Sequence, residues 1–241
     1  MIQNPTAPTH ASVAARACLL LHPQSPKVSL MPGTNQFRVR HARSSGDDAQ
    51  FIVGAFDSTI PYLASIGAGG MWGEEPFSAK DGFEAETIES IQKSERDDEP
   101  LRVFIAEVDV GAAAAPQGTA QPPVRVGSAM IREDSLPSYI TEREEMKPEV
   151  DGARDFLFLE VVISDYRTGS LHKGAGAALI EAIKSYGRDR NKRTLYVDCW
   201  AGNDAKLSRY YEKLGFTRVG DFSFGRASGA IWPGTFFRMD L

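Results

Sequence analysis

Residues 160–187 read EVVISDYRTGSLHKGAGAALIEAIKSYG. An apolar run ends at Ile163, a polar stretch follows, and Lys173-Gly174-Ala175-Gly176-Ala177 then opens a segment in which Leu179, Ile183 and Tyr186 recur at helical spacing. Two glycines therefore stand where a strand hands over to a helix. A tight, well-packed turn accounts for them, and so does a backbone that a ligand must approach closely. A helix start leaves about four backbone N–H groups without intrahelical partners, with the positive end of the helix dipole behind them. Small residues let a diphosphate reach those amides, and His172 and Lys173 add donors at the mouth. The GxGxxG spacing of a dinucleotide site is met only in part. Gly174 and Gly176 fit it, Leu179 takes the third position, and Asp198 stands about 24 residues on, where a ribose-binding acid is expected. Few strands remain after the turn to build a doubly wound half, and the GxxxxGK[ST] phosphate loop is absent.

Outward from this turn the chain alternates strand and helix signals. FRVRH (37–41) reads as a strand with Phe37, Val39 and His41 on one face, and a helix is expected from Asp48, interrupted at Pro61 and resumed to Gly67. Residues 67–78, GAGGMWGEEPFS, read as a glycine-rich loop, followed by an amphipathic helix in FEAETIESIQKS with an acidic first turn. LRVFIAEV and VRVGSAMIRE are strands around a low-complexity connector, and residues 134–154 read as a long charged connection. FLFLEVVIS (156–164) is almost wholly apolar, as a central strand requires. TLYVDCW is another buried-type strand, and NDAKLSRYYEKLGF is a helix stopped by Gly215, with Leu207, Tyr210, Tyr211 and Leu214 inward. TRVGDFSF and GTFFRMDL close the order β-α-α-β-β-β-α-β-α-β-β.

Composition bounds the partners. With 241 residues and a formal net charge of −5, the chain lacks the basic excess of a general nucleic-acid binder. No apolar run approaches the roughly 20 residues that span a bilayer. Cys18 and Cys199 have no CxxC or histidine-rich neighbourhood, so neither a disulfide framework nor a metal site is expected. Residues 1–34 are rich in Pro, Ala, Ser and Thr and free of Asp and Glu, which reads as a flexible N-terminal extension; such a start also fits organellar targeting, although a cytoplasmic location is the simpler expectation.

The stretches 161–183 and 195–220, VVISDYRTGSLHKGAGAALIEAI and LYVDCWAGNDAKLSRYYEKLGFTRVG, resemble the coenzyme A half of the GNAT superfamily of N-acetyltransferases. Gly174-Ala175-Gly176 and Tyr211-Glu212-Lys213-Leu214-Gly215-Phe216 match its two motifs, and FRVRHA, GGMWGEEPF and RVGSAMI resemble its upstream elements. The resemblance implies a single α/β domain over residues 35–241, with a mixed, mostly antiparallel central sheet of splayed strands flanked by helices. It implies an acetyl-CoA-dependent N-acetyltransferase in which acetyl-CoA is the acyl donor and the amine of a small molecule attacks directly. The alternative is a degenerate relative that binds acyl-CoA without turnover. The implied cofactor contacts are the backbone of Val161, Val162 and Ile163, the cradle His172, Lys173, Gly174, Ala175, Gly176 and Ala177, and Asn203. Tyr211 is the expected general acid, since a phenol with pKa near 10 can protonate a departing thiolate. Glu160, a carboxylate inside FLFLEVVI, is the candidate base, because burial raises a carboxylate toward a useful range. Met71, Trp72 and Glu74 are expected on the acceptor side, with no metal and with a monomer or homodimer as the unit. Leu171 departs from the family's Arg or Gln, and Arg167 is the residue to ask about as its replacement.

Overall fold

The computed structural model describes residues 36–109, 122–226 and 229–241. The expected extension over 1–34, Cys18 and most of the low-complexity connector lie outside the described residues. Seven strands form one sheet in the order β1-β2-β3-β4-β5-β7-β6. They are β1 (Phe37–His41), β2 (Leu101–Val108), β3 (Val124–Glu133), β4 (Phe156–Ser164), β5 (Thr194–Trp200), β6 (Thr217–Gly225) and β7 (Ile231–Asp240). Every pairing is antiparallel except β4 with β5. The wholly buried run of β4 sits at the centre of this order, as its unbroken apolar sequence requires.

Helices cover both faces: α1 (Asp48–Ser65), α2 (Phe83–Ser94), the short α3 (Ser138–Thr141) and α4 (Lys147–Val150), α5 (Ala175–Asp189) and α6 (Gly202–Lys213). Side-chain alternation along the strands sorts them. Phe104 of β2 meets Tyr186 of α5, Leu157 of β4 meets Gly187 of α5, and Cys199 of β5 meets Ser208 of α6. In the parallel register Leu157 lies opposite Leu195, which shares a face with Cys199, so α5 and α6 cover the same face. Tyr196 and Asp198 point the other way, to Glu149 of α4 and Tyr139 of α3.

Two details differ from the sequence expectation. Pro61 lies inside one continuous helix rather than between two pieces. It removes one N–H only a turn before the helix ends, so little of the ladder is lost. The charged connection between β3 and β4 holds α3 and α4, whose Ile140, Met146 and Val150 are buried. Their apolar positions are too few for a periodic signal to emerge. No helix among the described residues is long and apolar enough to cross a membrane.

Polar networks tie down the β1 end. Asp48 is buried and accepts from Arg40 at 2.6 Å, from the Arg43 backbone N–H at 2.9 Å and from Arg125 at 3.0 Å. Burial alone would raise its pKa; these hydrogen bonds outweigh burial and hold it at about 2. A carboxyl depressed in the folded state stabilises the fold above its ordinary pKa and loses that contribution as pH falls through the folded one. Acid unfolding of the wild type is therefore expected to steepen between about pH 4 and pH 2, and Asp48→Asn to flatten that segment while lowering stability at neutral pH, both read by thermal melts across pH. At the sheet's centre, a Cβ on Gly127 of β3 would sit 2.7 Å from the Ile163 carbonyl oxygen and 3.4 Å from Ala175 and Leu179. Gly127→Ala must shift β3 against β4 and the start of α5, and an expected cost of about 1–3 kcal/mol should appear as a lowered melting temperature.

Candidate active site

β4 and β5 are paired only from Phe156–Leu159 to Thr194–Val197. On its other side β4 continues to pair with β3 through Ser164, with a register shift in which Met130 faces Val161 and Ile131 faces Leu159. Glu160 is the extra residue of that bulge, so the strand bends where it leaves β5. Past the bulge, the N–H and C=O groups of residues 161–163 that point away from β3 face no strand among the described residues. Val161, Val162 and Ile163 thus lie on an edge of β4 that β5 leaves unpaired.

The chain after β4 turns through a 3-10 segment, Tyr166–His172, to α5. Gly174 has φ of +95°, a left-handed conformation that favours glycine, and a Cβ there would come within 3.1 Å of the Phe37 ring. The first intrahelical bond runs from the Ala178 N–H to the Gly174 carbonyl, which leaves the amides of Ala175, Gly176 and Ala177 at the open N-terminal turn. Lys173 is exposed, and the His172 ring packs 4.6 Å from that of Tyr166. Arg167 does not reach this turn. Its guanidinium is held by Asp165 at 2.8 and 2.9 Å and lies over α1, where a Cβ on Gly54 would collide with it.

On the α6 side, Tyr211 is fully buried, its ring 5.3 Å from Phe216 and 6.0 Å from Phe237. Asn203 donates its side-chain amide to the Ile66 carbonyl at 3.0 Å, which bridges α6 to the end of α1. Asn203, Asp204 and Ala205 all lie in the left-handed region, at φ of 52°, 55° and 53°. Trp200 packs where a Cβ on Gly202 or Gly70 would stand, which joins the start of α6 to the glycine-rich loop. In that loop Met71 and Trp72 are buried, and Trp72 and Phe77 pack against Phe56, so Glu74 is the exposed member of the three acceptor-side candidates.

Glu160 and Asp198 are the next residues on each strand after the last β4–β5 pair, Leu159–Val197. Both are buried. Burial raises Glu160 above the usual carboxylate range, opposed by Arg132, whose Nε lies 2.7 Å from it. Burial also pushes Asp198 up to about 7; the Tyr139 hydroxyl, donating at 3.3 Å, opposes the rise and the charge of Glu160 adds to it. By sequence Asp198 stands where a ribose-binding acid, a strand-end cap or a base could each be placed, and nothing in the sequence singles out Tyr139. The available signal was a carboxylate set between apolar neighbours in LYVDCW.

A free strand edge at a bulge beside a helix N-terminus, inside this strand order, settles the architecture. The fold is that of the GNAT acetyltransferases. An acetyltransferase of that family from Streptococcus pneumoniae superposes with a TM-score of 0.51 at 15% identity, over 86% of this chain and 100% of the other. A ribosomal-protein-alanine N-acetyltransferase from Brucella melitensis gives 0.53 at 18%, over 85% and 99%. A protein assigned as an acetyltransferase from Salmonella typhimurium, solved with its cofactor acetyl-CoA, gives 0.52 at 17%, over 86% and 95%. No protein-family model matches the sequence, and no curated protein matches it either.

The GNAT fold leaves Cys199 inert. It is wholly buried, 3.5 Å from the Ser208 hydroxyl, and burial pushes its thiol up to about 12. In the folded protein at about pH 8, iodoacetamide is expected to spare the Cys199 peptide, as followed by mass spectrometry, and to modify it only after denaturation.

Proposed function

We propose that this protein is an acetyl-CoA-dependent N-acetyltransferase that acetylates the primary amine of a small molecule by direct attack. The observation that carries this reading is the free edge of β4 past the Glu160 bulge, continuous with the open first turn of α5. The residues present fit acetyl-CoA. The amides from Gly174 to Ala177, with Lys173 and His172 beside them, suit a diphosphate. The edge from Val161 to Ile163 suits the amide groups of a pantetheine arm, which would add to the sheet as a short strand. Asn203 at the start of α6 is the further contact that the family resemblance implies.

When bound, acetyl-CoA supplies an activated acyl group. The chain's part is to hold the thioester carbonyl on backbone N–H groups of β4, which stabilise the developing oxyanion. An ammonium has no lone pair, so the acceptor must first lose a proton to a carboxylate where β4 and β5 part, and Glu160 stands there. Tyr211 returns a proton to the departing sulfur. Met71, Trp72 and Glu74 shape the acceptor approach, with Glu74 attracting a cation. Tyr211 lies wholly inside the fold and the Asn203 amide is already bonded to Ile66, and these two facts favour the second reading, an acyl-CoA-binding protein without turnover.

Acetyl-CoA at about 100 times its Kd contributes about 2.7 kcal/mol to stability, so the melting temperature is expected to rise by about 5–10 °C. Gly176→Glu is expected to abolish the shift, with Ala177→Glu as a second variant because Gly176 is buried. No shift at millimolar acetyl-CoA overturns both readings. Thiol release against a panel of small amines and alanine-initiated peptides separates them: release with small amines supports transfer, release with peptides alone corrects the acceptor class, and none with any amine leaves only binding.

A further inference from the structure

We infer that Asp198 is a second catalytic carboxylate, paired with Glu160 where β4 and β5 part and positioned by Tyr139, and that it takes the acceptor amine's proton. This deepens the transfer reading and rests on it. Four observations carry it. Asp198 and Glu160 follow directly on the last residues of the parallel ladder, Val197 and Leu159, so both emerge at the apex of the opening. Their neighbour Cys199 points to α6, which sends Asp198 to the opposite, acceptor face. Asp198 is 1% exposed, yet its Oδ2 has no hydrogen-bond partner among the described residues, while its Oδ1 accepts from Tyr139 at 3.3 Å. A buried carboxylate oxygen left unsatisfied is costly, and an ammonium N–H or a bridging water would meet that need.

Glu160 is differently held. Arg132 lies 2.7 Å from its Oε2 and donates to its Oε1 at 3.3 Å. That cation keeps Glu160 the anionic member of the pair, and two carboxylates at one site share a proton rather than both ionising. The groups facing Asp198 are Tyr139 from α3 and Glu160 from β4, while β7 offers only Phe236 opposite it. No cation is in contact with Asp198 among the described residues, so it is the member free to change its proton near neutral pH, consistent with its elevated pKa.

The step balances. The ammonium N–H breaks and the proton passes to Asp198 Oδ2, directly or through one water. The freed lone pair forms the C–N bond, the C–S bond breaks with its electron pair on sulfur, and Tyr211 protonates that sulfur. The second nitrogen proton reprotonates Tyr211, and Asp198 returns its own to solvent.

Carboxyl 13C NMR of aspartate-labelled protein tests the pair without any substrate, the Asp198 signal being the one lost in Asp198→Asn. A midpoint near 7 is expected. It should move up in Tyr139→Phe, which removes a donor, and down in Glu160→Gln, which removes a like charge. A midpoint in the ordinary range near 4, or one unmoved by both variants, overturns the pairing. In thiol release with spermidine and an alanine-initiated peptide as probe amines, Asp198→Asn is expected to lower kcat at least about 100-fold and erase the acidic limb of kcat/KM, while the acetyl-CoA melting shift persists. Activity within about threefold of wild type with the limb intact overturns the role of Asp198 and leaves acetyl transfer standing. Absence of wild-type turnover with every amine overturns transfer itself, and this role with it.

Discussion

β4 and β5 hold four parallel pairs, Phe156–Leu159 against Thr194–Val197, and then separate. The separation has a local cause. One residue more in β4 than in β3, at Glu160, bends the strand and leaves its far half joined to the sheet on one side only. β5 meanwhile stays paired with β7 along its whole length, from Thr194 to Trp200. The sheet is thus continuous on both flanks and open in the middle. An open seam in a sheet's interior presents unpaired backbone groups that folding alone does not satisfy.

Everything near the seam is arranged about that opening. On one face the connection from β4 folds back through Gly174 into α5, which points a helix N-terminus along the exposed edge. On the other face α3 carries Tyr139 to Asp198, and Arg132 of β3 reaches Glu160. One face of the gap therefore carries the amides of a helix start and the other carries buried carboxylates. Trp200 and Asn203 join the start of α6 to the glycine-rich loop and the end of α1, so the two halves of the gap are connected beyond its mouth.

The charged groups divide into those that hold the fold and those that the seam leaves strained. Arg40, Asp48, Glu107 and Arg125 at the β1 end satisfy one another closely. Arg102, almost wholly buried, finds Tyr186 at 3.0 Å and Glu133 at 3.6 Å. The basic residues around the end of α5 are similarly engaged, Lys184 with Glu181 and Lys192 with Glu133. Asp198 stands apart, buried with one oxygen unmatched. A buried carboxylate that the rest of the chain does not pair is costly for stability, and such residues concentrate where chemistry is done.

The order of strands and helices was legible in the residues themselves. Apolar runs such as FLFLEVVIS and TLYVDCW, helical spacing from Leu179 to Tyr186, a glycine helix start at Gly174 and a glycine stop at Gly215 are local signals, each written within about ten to fifteen residues. The helix start after Gly174 was legible for the same reason, since glycines and a helix beginning are neighbours in sequence. Only the tertiary structure decided which side chains meet across the seam. That Glu160 and Asp198 both follow the last pair of one ladder depends on a parallel register and a bulge, and the contact of Tyr139 with Asp198 joins residues 59 positions apart through a segment with no periodic signal. Arg167, too, was a candidate by sequence proximity, and its commitment to Asp165 and Gly54 is a fact of packing. Local periodicity records what a residue's neighbours along the chain must be, whereas the charge and burial of a site are sums over neighbours that only folding brings together.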